Sequence, residues 1–134
     1  MNRPMSVFDI AGRAMSAQLV RLNTTASNLA NAGSVSGSKE TAFRAVKPVF
    51  QSVTEQPGVA TVRVDQITQT QAEPTKRYAP GHPLADAEGN VWEAAVDSSA
   101  ELVEMLESSR QYQNNVQVLQ TAKTLMLDTL RLGQ

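Results

Sequence analysis

The chain has 134 residues, with 12 lysines and arginines against 13 aspartates and glutamates, and no cysteine. The near-neutral charge, with no basic run longer than Lys76-Arg77, excludes a nucleic-acid footprint, and the missing thiols exclude disulfides and the usual soft metal ligands. The length allows one domain with a modest core, and no apolar stretch approaches the ~20 residues that span a bilayer.

Residues 1–6 lack the apolar stretch and the small-residue cleavage site of an ordinary signal peptide. A helix is predicted over 6–32. Ser6 supplies the cap and Asp9 sits in the electropositive first turn. Phe8, Gly12, Met15, Leu19, Leu22, Ala26 and Leu29 recur in steps of four and three, the 3.5-residue spacing that keeps one seam toward a partner helix. Gly33 offers a left-handed stop, and 33–39 reads as a flexible loop.

From Phe43 onward the texture changes. Val46, Val49 and Val53, then Ala60, Val62 and Val64 with Thr61, Arg63 and Asp65 opposite, predict short strands around a Gln56-Pro57-Gly58 turn. Pro48 suits an edge strand. Pro74, Pro80-Gly81 and Pro83 mark an irregular loop, and residues 86–90 form a tight turn before Val91-Trp92. A β-rich insert over 33–97 is therefore expected between two helices.

The second helix is predicted over 98–132, opened by Ser98 with Glu101 at capping-box spacing and closed at Gly133. Its seam comprises Leu102, Met105, Tyr112, Val116, Leu119, Met126 and Leu130, interrupted by Ser109 and Lys123. The fold class is mainly α, with two long terminal helices forming a coiled-coil-like stalk. A pair only two helices thick buries little area against an ordering entropy of ~1–2 kcal/mol per residue. The isolated monomer is expected to be marginal, and the stable form an assembly.

No catalytic, cofactor or metal site is expected. His82, the only histidine, lies in a proline-framed turn with no nucleophile or carboxylate at motif spacing. Asp86, Glu88 and Asn90 lack the further ligands and terminal glutamate of a calcium loop. Asp97, Glu101, Glu104 and Glu107 gather where a helix dipole favours them.

The helix exteriors carry more information. Arg21 is the only charge between Ser16 and Asn31, and none lies between Gln111 and Ala122. Asn23, Ser27, Asn28, Asn31, Arg110, Gln111, Gln113 and Asn114 offer a polar face that is cheap to desolvate and suited to packing between subunits. A solvated face of low charge is the plainer alternative. A self-contained adaptor, with the β insert as its binding part, is the rival class.

Five segments carry a resemblance: Phe8-Asp9-Ile10-Ala11-Gly12, Ser27-Asn28-Leu29-Ala30-Asn31-Ala32, Pro80-Gly81-His82-Pro83-Leu84-Ala85-Asp86, Ser109-Arg110-Gln111-Tyr112-Gln113-Asn114-Asn115, and the ending Leu130-Arg131-Leu132-Gly133-Gln134. In these the chain resembles the flagellar axial proteins, and among them the rod proteins of the basal body. It departs from the family pattern at residues 92–99 and at Glu101-Leu102. The resemblance implies a non-enzymatic subunit of the rod that crosses the periplasm, exported unfolded by the flagellar type III apparatus without a cleavable signal. It also implies termini that fold on joining the rod, next to copies of the same chain, FlgB, FlgF, FlgG and the basal adaptor FliE. Neither nucleic acid, cofactor nor small-molecule substrate is implied.

Overall fold

A computed structural model describes residues 5–133. Helix α1 covers Val7–Asn31, strands β1 to β5 cover Val35–Ser36, Val46–Gln56, Val59–Gln69, Thr75–Tyr78 and Asn90–Glu93, and helix α2 covers Ser98–Leu132. Two long helices with small antiparallel sheets between them are thus the architecture. β2 and β3 form a separate two-stranded ribbon, and β1, β5 and β4 a three-stranded sheet with β5 in the middle.

The start of α1 is a reciprocal cap. The Asp9 N–H donates to Ser6 Oγ at 3.2 Å, and the Ser6 N–H donates to Asp9 Oδ2 at 2.9 Å. Its end corrects the expectation for Gly33. Ala32 stays right-handed, and the described residues with positive φ are Gly58 and Gly89. The chain leaves through tightened turns, Ala32 N–H to Leu29 O and Ser34 N–H to Asn31 O, directly into β1. Part of the expected 33–39 loop is therefore a strand, with Val35 opposite Glu93 and Ser36 opposite Trp92. Two residues carry no readable period, and only the partner strand makes them β.

The ribbon is longer than the short strands expected, with 11 residues in each strand. Pro57 and Gly58 turn it, Gly58 at φ 81°. Register shifts at Val49/Phe50 and Thr54/Gln56 alter which side chains face inward. Val49 is exposed while Pro48 and Phe50 are half-buried, which corrects the Val46, Val49, Val53 pattern. On β3, Ala60 is exposed and Thr61 is buried, the reverse of the expected facing. A two-stranded ribbon with bulges twists strongly, so one face does not stay inward along its length.

Asp97, not Ser98, caps α2, its Oδ1 accepting from the N–H groups of Ser99 and Ala100 at 3.0 and 3.1 Å. The expected Ser98/Glu101 box is absent because the Glu101 carboxylate turns toward α1, where the residue is 4 % exposed. β4 was hidden between prolines and is fully exposed, held by β5, whose Val91 is completely buried.

The helices run antiparallel, as the pairs Asn28–Glu101, Arg21–Glu104 and Gln18–Gln111 establish. That register sets Val7 opposite about residue 122, so α2 outruns α1 by roughly ten residues, about 15 Å at the rise of an α-helix. The buried apolar residues are Ala11, Ala17, Ala42, Ala45, Val91 and Ala95, while Thr24, Thr25, Asn28, Thr61, Glu101 and Ser108 are buried polar ones. α1 buries its smallest side chains because it is flanked by α2 on one side and the ribbon on the other.

Candidate assembly surface

Asn28 joins three elements. Its Nδ2 donates to Val46 O at 2.9 Å and to Glu101 Oε2 at 3.1 Å, and its Oδ1 accepts from Val46 N–H at 2.9 Å. The amide thus acts as a strand partner for the first residue of β2 and offers its second N–H to a buried carboxylate. Asn28 is 1 % exposed. Expected on an outer polar face, it lies inside the subunit, where its amide bonds the Val46 backbone and the Glu101 carboxylate.

A polar line continues from there along the helix pair. Arg21 Nε meets Glu104 Oε1 at 3.4 Å, and its guanidinium lies 4.8 Å over the Phe50 ring. Gln18 donates to Gln111 at 2.7 Å, and Gln111 donates to Glu107 at 2.8 Å. Gln111 therefore also faces α1. The described residues leave Gln18 Oε1 and Ser108 Oγ buried without a protein partner. A helix contact made of alanine, threonine, serine and amides gains less from burial than one made of leucine. Asn31 caps its own turn by donating to Ser27 O, whereas Asn23, Ser27, Arg110, Gln113 and Asn114 are exposed.

The seam residues divide. Phe8, Gly12, Met15, Leu22 and Leu29 of α1, and Met105, Tyr112, Val116 and Leu119 of α2, are half-buried. Leu19, Ala26, Leu102, Met126 and Leu130 are exposed and lie outside the intramolecular pair. Met126 and Leu130 are bare because α1 has ended before reaching them. Leu125, Leu127 and Leu132 are bare on the same free run, Leu132 at 89 %.

A groove between α1 and the ribbon had no signal in the sequence. Phe8, Gly12, Ser16, Val20, Val62 and Val64 line about 1000 Å³ of it. Arg13 bridges its walls with two bonds to Glu55, Nη1–Oε1 at 2.5 Å and Nη2–Oε2 at 3.3 Å. That bond raises the Arg13 pKa above its ordinary value. The two residues are 42 apart in the chain, and only the ribbon's register brings them together.

Side-chain to backbone hydrogen bonds hold the two central turns. His82 Nδ1 accepts the Leu84 N–H at 3.1 Å. Asp86 Oδ1 accepts from Asn90 and Glu88 N–H groups at 2.8 and 2.9 Å, and these bonds, the Asn90 one foremost, lower its pKa. Among the described residues no group of three or more His, Asp or Glu is placed to hold a metal ion, and no helix is long and apolar enough to cross a membrane.

Two long antiparallel terminal helices around a small antiparallel β insert define the architectural class of this protein. Residues 8–37 match the family described as flagella basal body rod protein, and residues 87–132 match flagellar basal body rod FlgEFG protein C-terminal. The flagellar basal-body rod protein FlgC of Yersinia enterocolitica is 52 % identical over 97 % of this chain and 98 % of its own. FlgC proteins of Escherichia coli and Salmonella typhimurium are 50 % and 49 % identical over the same shares. The chain belongs to the FlgC family of flagellar basal-body rod proteins, and it is a structural subunit of that rod.

Proposed function

We propose that this subunit builds the proximal rod through its two terminal helices, which pair within a chain and mesh with neighbouring chains to make a shaft that carries torque. The observation that carries this reading is the free run of α2, with Leu125, Met126, Leu127, Leu130 and Leu132 exposed beyond the start of α1. Exposed apolar side chains concentrated at one end of a molecule are a surface awaiting a partner. The seam residues left outside the pair, Leu19, Ala26 and Leu102, add to that surface, and Asn23, Ser27, Arg110, Gln113 and Asn114 form its polar border.

The neighbours in this reading are copies of the chain, the rod proteins FlgB, FlgF and FlgG, and the basal adaptor FliE. The route is the flagellar type III apparatus, into the part of the rod that crosses the periplasm. A helix pair with a small, polar core suits such a route, because little burial has to be undone before threading.

Circular dichroism of dilute monomer against isolated rods tests the reading. Much less helix in the monomer is the expected result. Two fully formed helices that melt cooperatively in dilute monomer contradict folding on assembly.

A further inference from the structure

We propose that the free end of α2 from one copy seats in the α1–ribbon groove of a second copy. This deepens the rod-assembly reading and rests on it. The groove lies along residues 5–20, from just before α1 into its first half, at the same end of the molecule from which α2 protrudes. Over the about 22 Å that a helix rises in that span, about 1000 Å³ amounts to roughly half a helix cross-section. It takes one face of a helix and leaves the other outside.

The free run presents such a face. Leu125, Asp128, Thr129 and Leu132 follow one another at steps of three, one and three, along one stripe of α2 that is exposed beyond the start of α1. The Thr129 hydroxyl donates to Leu125 O at 2.8 Å, so it enters an apolar groove with its donor already used. Phe8, Val20, Val62 and Val64 offer the apolar walls. At Gly12 a Cβ would meet nothing within 4 Å, so the floor is open.

The charges fit as well. Arg63 lines the groove and is hydrogen-bonded to Gln51 Oε1 at 3.1 Å. Among the described residues neither Arg63 nor Asp128 has an ion-pair partner. Docking pairs one with the other.

A chain cannot fill its own groove this way. By the register of the pair, Leu125 lies about 18 Å along the helix axis from the level of Ser16. Seating the free end in a neighbour requires a parallel copy displaced by about 20 Å along that axis. Each copy then offers one free end and one groove, a head-to-tail contact that repeats openly instead of closing on a dimer.

Disulfide trapping tests this cleanly, because the chain has no cysteine. Basal bodies from cells carrying Ser16→Cys with Leu125→Cys are expected to give, after oxidation, a ladder of linked subunits on a non-reducing gel. Each single variant gives none. The intrachain separation exceeds the reach of a disulfide, so a ladder reports neighbours.

Rods that contain the double variant and yield no ladder overturn the docking while leaving rod assembly intact, whereas wild-type basal bodies lacking this chain overturn the rod reading itself. A trapped dimer without higher species contradicts the open repeat. An intrachain bond between Asn2→Cys and Ser16→Cys in assembled rods assigns the groove to the chain's own first residues instead. If the cysteine pair blocks assembly, charge exchange decides. Arg63→Asp and Asp128→Arg should each lower swimming several-fold and together restore most of it. A combination no better than the worse single variant overturns the pairing.

Discussion

A carboxylate with 4 % exposure and, among the described residues, no ion-pair partner is an unusual element of a helix pair, and Asn28 is what makes Glu101 tolerable. Burying an ionised group costs several kcal/mol unless hydrogen bonds replace its water. Asn28→Asp removes the donor and sets a second carboxylate against the first, and it leaves Val46 O unpaired as well. Each buried polar group left unmet costs about 1–3 kcal/mol. Asn28→Asp is therefore expected to lower the denaturant midpoint of assembled rods sharply. Adding Glu101→Gln, which removes the like charge and restores a donor, should recover part of the loss. A double variant as unstable as Asn28→Asp alone argues against direct coupling. Sequence alone placed Asn28 in an informative segment but on the wrong side of the helix. The reason is that its partner, the backbone of Val46, leaves no mark on residue type.

The turns show the same economy at the level of elements. Gly58 and Gly89 share φ 81°, yet a Cβ at Gly58 meets nothing within 4 Å while one at Gly89 lies 3.0 Å from Pro80 Cβ and 3.1 Å from Tyr78 Cε2. Gly58→Ala carries only the left-handed penalty of ~1–2 kcal/mol. Gly89→Ala adds steric overlap and should lower the melting temperature clearly more, as side-by-side thermal scans will read. Acid sensitivity belongs to the same region. Asn90 and Glu88 N–H groups hold the Asp86 pKa below its ordinary value, and Lys39 does the same for Glu73. Both carboxylates bind protons more weakly folded than unfolded, so they add stability above the ordinary carboxylate range near pH 4. That stability is lost as the pH falls through the lowered folded values. Fluorescence of Trp92, the single tryptophan, should report loosening of the insert below about pH 4, and Asp86→Asn should flatten that slope. An unchanged acid profile for the variant removes Asp86 from the explanation.

Across the whole molecule, the balance lies between a small alanine-rich core and a surplus of exposed leucine on α2. Leu22 and Leu119 are half-buried on the facing helices. Changing either to aspartate places a charge in a contact already rich in polar groups, so incorporation into rods and motility should both be lost. Cells that swim normally with Leu22→Asp or Leu119→Asp contradict the seam as an assembly element. The resemblance located in the chain's two ends and its central proline loop led to the right family, because those segments carry chemistry that a linear pattern preserves.

Periodicity alone determined the two helices, their approximate lengths and the polar, β-rich character of what separates them, since each follows from residues within one or two turns of one another. Tertiary structure decided everything that depended on distant partners. It set Asp97 as the cap and Glu101 as the buried acid, turned Val49 out and Thr61 in, and made a strand of Val35–Ser36. It also opened the groove that Arg13 and Glu55 span. A 3.5-residue repeat states which stripe of a helix is apolar; which neighbour meets that stripe, and where the neighbour stops, is fixed only when α1 is packed between α2 and a twisted ribbon.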